Sequence, residues 1–213
     1  MKNKKNVWMK SVMGDLVRSV RFTLLFCIVL TVGYVLVLWL FARVAGPNGG
    51  RAEVSLSGGS KSNTRIVGAT LVGQRFTSDR YFWGRPSSAG VQGYDASASA
   101  GSNKGPTNEK YLNKVAARRD SFLRRHSYLR PSDVPAEMLT ASGSGLDPDI
   151  SPESAYIQVR RVATARRLSV ETVRRLVDRS VESPLMGVMG TAKVNVLLLN
   201  LRLDEITRSH GRI

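Results

Sequence analysis

Cysteine is almost absent from this chain of 213 residues: Cys27 is the only one, and it lies in an apolar segment near the N-terminus. The remaining sequence therefore has no thiol with which to form a disulfide, bind zinc or attack a substrate. Any folded domain must be stabilised by an ordinary hydrophobic core. A chain of this length suffices for one domain of ordinary size plus a membrane anchor.

Histidine is also scarce, with two residues in the whole chain. His126 follows an arginine-rich helical pattern, and His210 lies in a polar C-terminal stretch. Neither has a His, Cys or carboxylate neighbour at metal-ligand spacing. We predict that both histidines lie at the surface and that the chain has no metal site.

Charge is missing from Phe22 to Phe41, a run of 20 residues bounded by Arg21 and Arg43. At about 1.5 Å per residue this run spans about 30 Å, the thickness of the hydrocarbon core of a bilayer. Its few polar residues are too widely spaced for an amphipathic soluble helix, and its flanks do not fit a cleaved signal peptide. We predict an uncleaved transmembrane helix over residues 22–42.

Basic residues are distributed unequally around this helix. Six Lys/Arg lie in residues 1–21, and three lie in the comparable stretch after the helix: Arg43, Arg51 and Lys61. The positive-inside bias therefore predicts a cytoplasmic N-terminus and an extracytoplasmic main domain, in a single-pass protein.

Three amphipathic helical patterns occur in the second half of the chain, each preceded by a residue that can cap a helix. The capping residues are Thr107 or Asn108, Ser151 and Ser169. The leucine-rich run Lys193–Leu203 predicts a long strand, and the apolar runs of Arg65–Phe76 predict shorter ones. The expected fold class is α/β or α+β, with about three helices on a small sheet.

Composition divides the chain after the membrane helix into three further regions. Residues 43–64 are rich in Gly, Ser and Asn, as is typical of a flexible linker. We predict that residues 65–205 form the extracytoplasmic domain and that residues 206–213 form a polar tail.

Residues 81–107 form a long irregular stretch of Gly, Ser, Ala and Pro with embedded aromatic residues. Such a stretch is typical of a binding or docking loop, or of a loop packed by its own aromatic side chains. A hydrolase that uses Ser142 or Ser144 with Asp147 is a further alternative, but no His or Lys base lies nearby in sequence. We predict instead a turn in which Asp147 and Ser151 bond to backbone amides, and no catalytic residues.

Arginine pairs recur along the predicted helices, at residues 118–119, 124–125, 160–161, 166–167 and 174–175. Such pairs are typical of a solvated helix face, or of a surface that binds an anionic lipid or polymer. The second alternative would make the chain a membrane-anchored extracytoplasmic binding module. We predict membrane lipid, and no nucleic acid, among its partners.

Several short motifs follow one another along the domain. They are Leu71–Thr77 (LVGQRFT), Tyr81–Ser87 (YFWGRPS), Gly101–Asn103 (GSN), Thr140–Asp147 (TASGSGLD) with Ile150–Pro152, Arg161–Ala163 (RVA), and Val194–Val196 with Leu199–Leu201. In order and spacing they resemble the C subunit of the Kdp-type potassium-transporting ATPase. The chain departs from that family's pattern where Val35, not proline, follows Tyr34, and where Ala100 replaces a glycine.

The resemblance implies a non-enzymatic subunit of a bacterial inner-membrane complex that hydrolyses ATP to import potassium. Its implied partners are a P-type catalytic subunit and a channel-like potassium-binding subunit, with a small fourth membrane subunit as a further candidate. The resemblance also implies that the subunit stabilises assembly and promotes ATP binding by the catalytic subunit, with ATP as the candidate cofactor and Gln74 as the candidate nucleotide contact. The sequence itself contains no Asp-Lys-Thr-Gly phosphorylation motif, and its membrane helix has no charge with which to conduct an ion.

The implied nucleotide role conflicts with the predicted topology, because ATP is in the cytoplasm and Gln74 is predicted to lie outside. We expect the topology to hold. The domain should then dock on the external face of the channel-like subunit while the helix braces the membrane portion.

Overall fold

A computed structural model describes residues 2–46, 49–50, 53–57, 64–184 and 186–210. The chain divides into two units, Met1–Ala52 and Glu53–Ile213. This division falls inside residues 43–64, the predicted linker, several of whose residues lie outside the described part.

The first unit contains a long apolar helix. Helix α1 (Lys2–Ile28) continues through a π-helical turn (Val29–Gly33) into α2 (Tyr34–Ala45). Val12–Ala45 is long and apolar enough to cross a membrane, judged by length and composition. Its apolar side chains are uncovered within this unit on every side of the helix, which is typical of a membrane span rather than of a soluble amphipathic helix.

The π-helical turn ends at Gly33, two residues before Val35, which stands where a proline is expected. Within it the Thr31 hydroxyl donates a hydrogen bond to the Cys27 carbonyl at 2.5 Å. A π turn interrupts the regular hydrogen-bond ladder of an α-helix. The helix therefore has a local irregularity at this depth although it has no proline.

The second unit contains two small antiparallel sheets. Strand β1 (Glu53–Ser57) pairs with β2 (Thr64–Ala69), and a three-stranded sheet has the order β3 (Asp149–Ile150), β5 (Lys193–Asn195), β4 (Val181–Glu182). Strand β1 lies within the stretch predicted as a linker. The second apolar run of Arg65–Phe76, beyond Ala69, forms no strand.

Five α-helices, besides three short 3₁₀ turns, occur in the described part of the second unit. They are α3 (Glu109–Arg125), α4 (Pro152–Tyr156), α5 (Val159–Arg166), α6 (Val170–Asp178) and α7 (Val196–His210). Asn108, Ser151 and Ser169 cap α3, α4 and α6, as predicted, since each side chain accepts a hydrogen bond from a backbone N–H three residues later. The mixed helix-and-sheet fold class is confirmed, although the second predicted helix is divided into α4 and α5.

The predicted strand Lys193–Leu203 is wrong beyond Asn195, because Val196 begins α7. The Asn195 side-chain oxygen accepts a hydrogen bond from the N–H of Leu198 at 3.1 Å and so caps the new helix. Leu199 and Leu203 then lie buried at helical spacing on one face. Leucine is a good helix former, so a leucine-rich run does not by itself indicate a strand.

The hydrophobic core of the second unit joins its helices to the three-stranded sheet. Buried members come from α3, α5, α6, β3, β5 and α7, and also from the irregular stretch between β2 and α3: they include Phe122, Val162, Val177, Ile150, Val194, Leu203 and Phe82. Phe82 is fully buried. Phe82 and the partly buried Trp83 therefore pack in the core, which supports the second of the two alternatives for this stretch.

Candidate functional site

An irregular segment, residues 78–87, runs through the core and is named here the clamped segment. It forms no strand, so its backbone has no ladder of hydrogen bonds. Buried backbone N–H and C=O groups must nevertheless find partners. In this segment the partners come largely from long polar side chains on α5, on α7 and in the turn between α4 and α5.

Two amide side chains make the backbone hydrogen bonds that a neighbouring strand would otherwise make. Asn200 of α7 accepts a hydrogen bond from the Phe82 N–H at 2.8 Å and donates one to the Phe82 carbonyl at 3.0 Å. Gln158 does the same for the next residue, accepting from the Trp83 N–H at 2.8 Å and donating to its carbonyl at 3.1 Å. Asn200 and Gln158 are both buried. Each amide therefore satisfies both backbone groups of one core residue.

Arg161 of α5 holds the start of the clamped segment. Its guanidinium donates to the Asp79 carbonyl at 2.6 Å and to the Tyr81 carbonyl at 3.0 Å. It also lies 4.0 Å from the centre of the Trp83 ring, within range of a cation–π interaction. Only 4 % of the Arg161 side chain is exposed, so this arginine is a buried tie between α5 and the segment.

His126 completes this cluster, and the prediction that it is a surface residue is wrong. The ring is fully buried, stacked on Phe122 with centroids 4.0 Å apart. Arg161 Nε donates to His126 Nε2 at 2.9 Å, so Nε2 carries no proton, and Nδ1 donates to the Phe122 carbonyl at 2.8 Å. Burial lowers the pKa of His126 to about 4, and the positive charge of Arg161 acts in the same direction.

The lowered pKa of His126 predicts that the folded unit loses stability in mild acid. An unfolded histidine binds a proton near pH 6.5, whereas the folded state resists protonation down to about pH 4. Stability should therefore fall as the pH drops from 6.5 towards 4, by on the order of 2 kcal/mol in total. Unfolding of the detergent-solubilised chain between pH 7 and 4.5 measures this slope. His126→Gln should flatten it, and an equal slope in both proteins would contradict the assignment.

A second buried arginine, Arg166, anchors the residue before Tyr81. It donates to the Arg80 carbonyl at 2.7 Å and pairs with Asp204 of α7 at 2.6 Å. Arg161 and Arg166 each belong to one of the arginine pairs of the sequence. In each of these two pairs, therefore, one arginine is buried and bonds to the clamped segment. The other, Arg160 or Arg167, is exposed.

The far end of the clamped segment is tied to the loop 140–147. Arg85 pairs with Asp147 at 2.9 Å, and the Ser87 hydroxyl donates to the Gly145 carbonyl at 2.5 Å. Gly145 has a φ of +69°, and a Cβ there would lie 2.7 Å from the Ala89 nitrogen. The glycine is thus required by a close backbone approach.

The serines of this loop make turns. Ser142 and Ser144 accept hydrogen bonds from the backbone N–H groups of Gly145 and Leu146, at 3.0 and 3.1 Å. Asp147 accepts from the Asp149 N–H at 3.1 Å, as the sequence predicts. These contacts support the turn prediction over the hydrolase alternative.

Gln74 lies apart from the ties of the clamped segment. Its half-buried side chain packs against the backbone of Gly68, where a Cβ would overlap the amide group. The adjacent Gly73 donates its N–H to the Leu146 carbonyl at 2.7 Å. Gln74 therefore lies next to the contact between the motif Leu71–Thr77 and the loop 140–147. Packing against Gly68 accounts for its position.

A cleft of about 440 Å³ opens beside the clamped segment. Four arginines line it, Arg75, Arg85, Arg118 and Arg125, and no acidic residue is among its described lining residues. Aromatic side chains, including Trp83, form part of the wall. Over the ranges that the structure describes, no group of three or more His, Cys, Asp or Glu residues is arranged to hold a metal ion.

Several motifs quoted from the sequence meet at the clamped segment, and one protein family matches the chain over all of the motifs. The family described as the c chain of the K+-transporting ATPase, KdpC, matches residues 16–205. This chain belongs to the KdpC family. A protein of Bacteroides fragilis named "Potassium-transporting ATPase KdpC subunit" is 61 % identical over 194 residues, covering 91 % of this chain and 98 % of the relative.

More distant KdpC relatives match over a similar length. Proteins of the same name from Flavobacterium johnsoniae and Caldanaerobacter subterraneus subsp. tengcongensis are 43 % and 38 % identical over 195 and 198 residues. These alignments cover 91 % and 93 % of this chain, and 100 % and 98 % of the two relatives. The resemblance read from the motifs is confirmed, and the chain is a subunit of a potassium-transporting ATPase complex.

The KdpC motifs account for only part of the ties in the core. Arg161, Asn200, Arg85 and Asp147 all lie in motifs quoted from the sequence, and the structure brings them to the same segment. Gln158 and His126 lie outside those motifs, and sequence reasoning missed both roles. The i to i+3 spacing of Gln158 and Arg161 on an otherwise apolar helix face was the available signal.

Proposed function

We propose that this KdpC subunit is a non-catalytic accessory subunit that stabilises the assembly of a P-type catalytic subunit with a channel-like potassium-binding subunit. The observation that carries this proposal is the use of its polar side chains. Arg161, Arg166, Gln158 and Asn200 are all committed to backbone groups or neighbouring side chains of the core. Their engagement in the core supports a rigid docking domain.

We propose further that the domain lies outside the cytoplasm, at the bacterial inner membrane. The excess of basic residues before the apolar helix supports this orientation. The domain then docks on the external face of the channel-like subunit, and the helix packs against the membrane portion of the complex. The exposed apolar side chains of Val12–Ala45 supply the surface for that packing.

Promotion of ATP binding is then an indirect effect, transmitted through the assembled complex. Gln74 is the nucleotide contact that the family resemblance offers. Gln74→Ala in the complete complex should leave the KM for ATP within about twofold of wild type, since the amide packs on Gly68. A large rise in that KM with unchanged complex yield would instead support direct contact with nucleotide.

Copurification tests the assembly role. A tagged chain, coexpressed with the other subunits of its own complex, should bring down both the catalytic and the channel-like subunits from mild detergent. Expression without this chain should lower the yield of the catalytic–channel pair severalfold. Recovery of the same pair in the same yield without this chain would contradict the proposal.

The alternative is a membrane-anchored module that binds anionic lipid or polymer. Arg124, Arg125, Arg174 and Arg175 are exposed and favour it. Strong, salt-sensitive binding to anionic vesicles, together with failure to copurify any partner subunit, would support this alternative over the assembly role.

A further inference from the structure

Of the four arginines that line the cleft beside the clamped segment, two form ion pairs with carboxylates of the described residues. Arg85 pairs with Asp147 at 2.9 Å, and Arg125 pairs with Asp79 at 2.6 Å. Arg75 and Arg118 make no ion pair within the described residues. Within the described part of the chain, Arg75 donates to the Gln92 carbonyl at 3.3 Å and Arg118 donates to the Leu139 carbonyl at 3.0 Å.

The cleft also retains hydrogen-bond donors without acceptors. A guanidinium has five N–H groups, and Arg118 uses one of its nitrogens in the bond to Leu139. The Nε of Arg85 is buried and has no acceptor among the described atoms. That nitrogen is too buried for a ligand to reach, so the donors available in the cleft are the N–H groups of Arg75 and Arg118 that their backbone contacts leave unused.

The shape of the cleft suits a small molecule. Its volume of about 440 Å³ lies in the range of about 300 to 1,000 Å³ that is usual for ligand sites. Arginines approach from the segment after β2, from the clamped segment and from α3, while Trp83 and Phe122 offer apolar surface. Guanidinium groups from several directions match an anion with several oxygens, and aromatic walls match an organic body.

We propose that this cleft binds an organic phosphate, with its phosphoryl oxygens among Arg75, Arg85 and Arg118 and its organic part against Trp83 and Phe122. The phosphoryl group can belong to a small soluble compound or to the headgroup of an anionic phospholipid. Arg85 is pre-oriented by Asp147, and Arg118 by the Leu139 carbonyl, so neither has to be ordered when the ligand binds. This site is independent of the assembly role and could exist without it.

The test uses the full chain and two phosphate probes. Binding of sn-glycerol 3-phosphate is measured in neutral detergent by calorimetry, and binding to phosphatidylglycerol nanodiscs is compared with binding to phosphatidylcholine nanodiscs. Arg118→Gln and Arg75→Gln should each weaken binding of the active probe about tenfold, because each removes a charge-assisted hydrogen bond. Arg119→Gln is the matched control: Arg119 is the neighbour of Arg118, pairs with Asp120 at 3.3 Å and does not line the cleft. It should change affinity less than twofold.

The outcomes separate the two ligand sources. Binding of glycerol phosphate that falls in both cleft variants identifies a soluble ligand, and binding confined to phosphatidylglycerol with the same variant pattern identifies a headgroup. If Arg118→Gln folds poorly, the Arg75→Gln variant provides the test, because the hydrogen bond that Arg75 donates to Gln92 is long and its loss should not affect folding. Absence of binding of either probe at millimolar concentration in low salt, or equal loss in Arg119→Gln, would overturn the proposal.

Discussion

Replacing Arg161 with alanine is expected to lower the free energy of unfolding of the second unit by about 3 to 5 kcal/mol. The substitution removes the donor of four separate neighbours: the carbonyls of Asp79 and Tyr81, His126 Nε2 and the Gln158 side-chain oxygen. The carbonyls of Asp79 and Tyr81 and the His126 nitrogen would lose this donor, whereas the Gln158 oxygen would keep its hydrogen bond from the Trp83 N–H. Urea or thermal unfolding of the full chain in detergent, followed by far-UV circular dichroism, measures the loss.

Arg160→Ala is the matched control for this prediction. Arg160 is the preceding residue, is exposed, and lies 5.1 Å from the centre of the Tyr128 ring. Its replacement should cost less than about 1 kcal/mol. Similar losses in the two variants would show that Arg161 is a surface charge and that the buried cluster is wrongly assigned.

Replacing Asn200 with leucine is expected to destabilise the unit by about 2 to 4 kcal/mol, although leucine is the more apolar residue. Leucine has a similar size but cannot bond to the Phe82 backbone, so one buried N–H and one buried carbonyl lose their partners. If burial of apolar surface were the only function of position 200, the same change would stabilise the protein. The sign of the measured difference therefore decides between the two functions.

Asn113→Leu provides the comparison for this experiment. Asn113 lies on the exposed side of α3, and its replacement should change stability by less than about 0.5 kcal/mol. If Asn200→Leu were as neutral as this control, the amide of Asn200 would not be satisfying the backbone of Phe82.

Local signals in the sequence were sufficient for the membrane helix and for most helix starts. An uncharged run of 20 residues needs no tertiary context to be recognised, and the caps at Asn108, Ser151 and Ser169 are contacts over three residues. The run Lys193–Leu203 was predicted wrongly because its apolar residues fit either period. The change from strand to helix occurs at Asn195, because its backbone still pairs with β3 while its side chain caps α7.

The contacts of the clamped segment could not be predicted in the same way. Asn200 and Phe82 are 118 residues apart, and Arg161 and His126 are 35 residues apart. A polar residue on a helix is exposed in most proteins, so Arg161 and His126 were expected at the surface. Their burial follows from a segment that crosses the core without a strand partner, and the local signal of it is limited to the i to i+3 spacing of Gln158 and Arg161.

The orientation of the domain is the claim on which the proposed function depends. A single-cysteine chain tests it directly: Cys27→Ser removes the native thiol, and Ser132→Cys places a new one at an exposed position of the second unit. A second chain, with Cys27→Ser and Asn6→Cys, carries the thiol in the predicted cytoplasmic N-terminus. We predict that a membrane-impermeant maleimide labels the position-132 cysteine in intact cells, and labels the position-6 cysteine only after permeabilisation. The reverse pattern would contradict an extracytoplasmic domain.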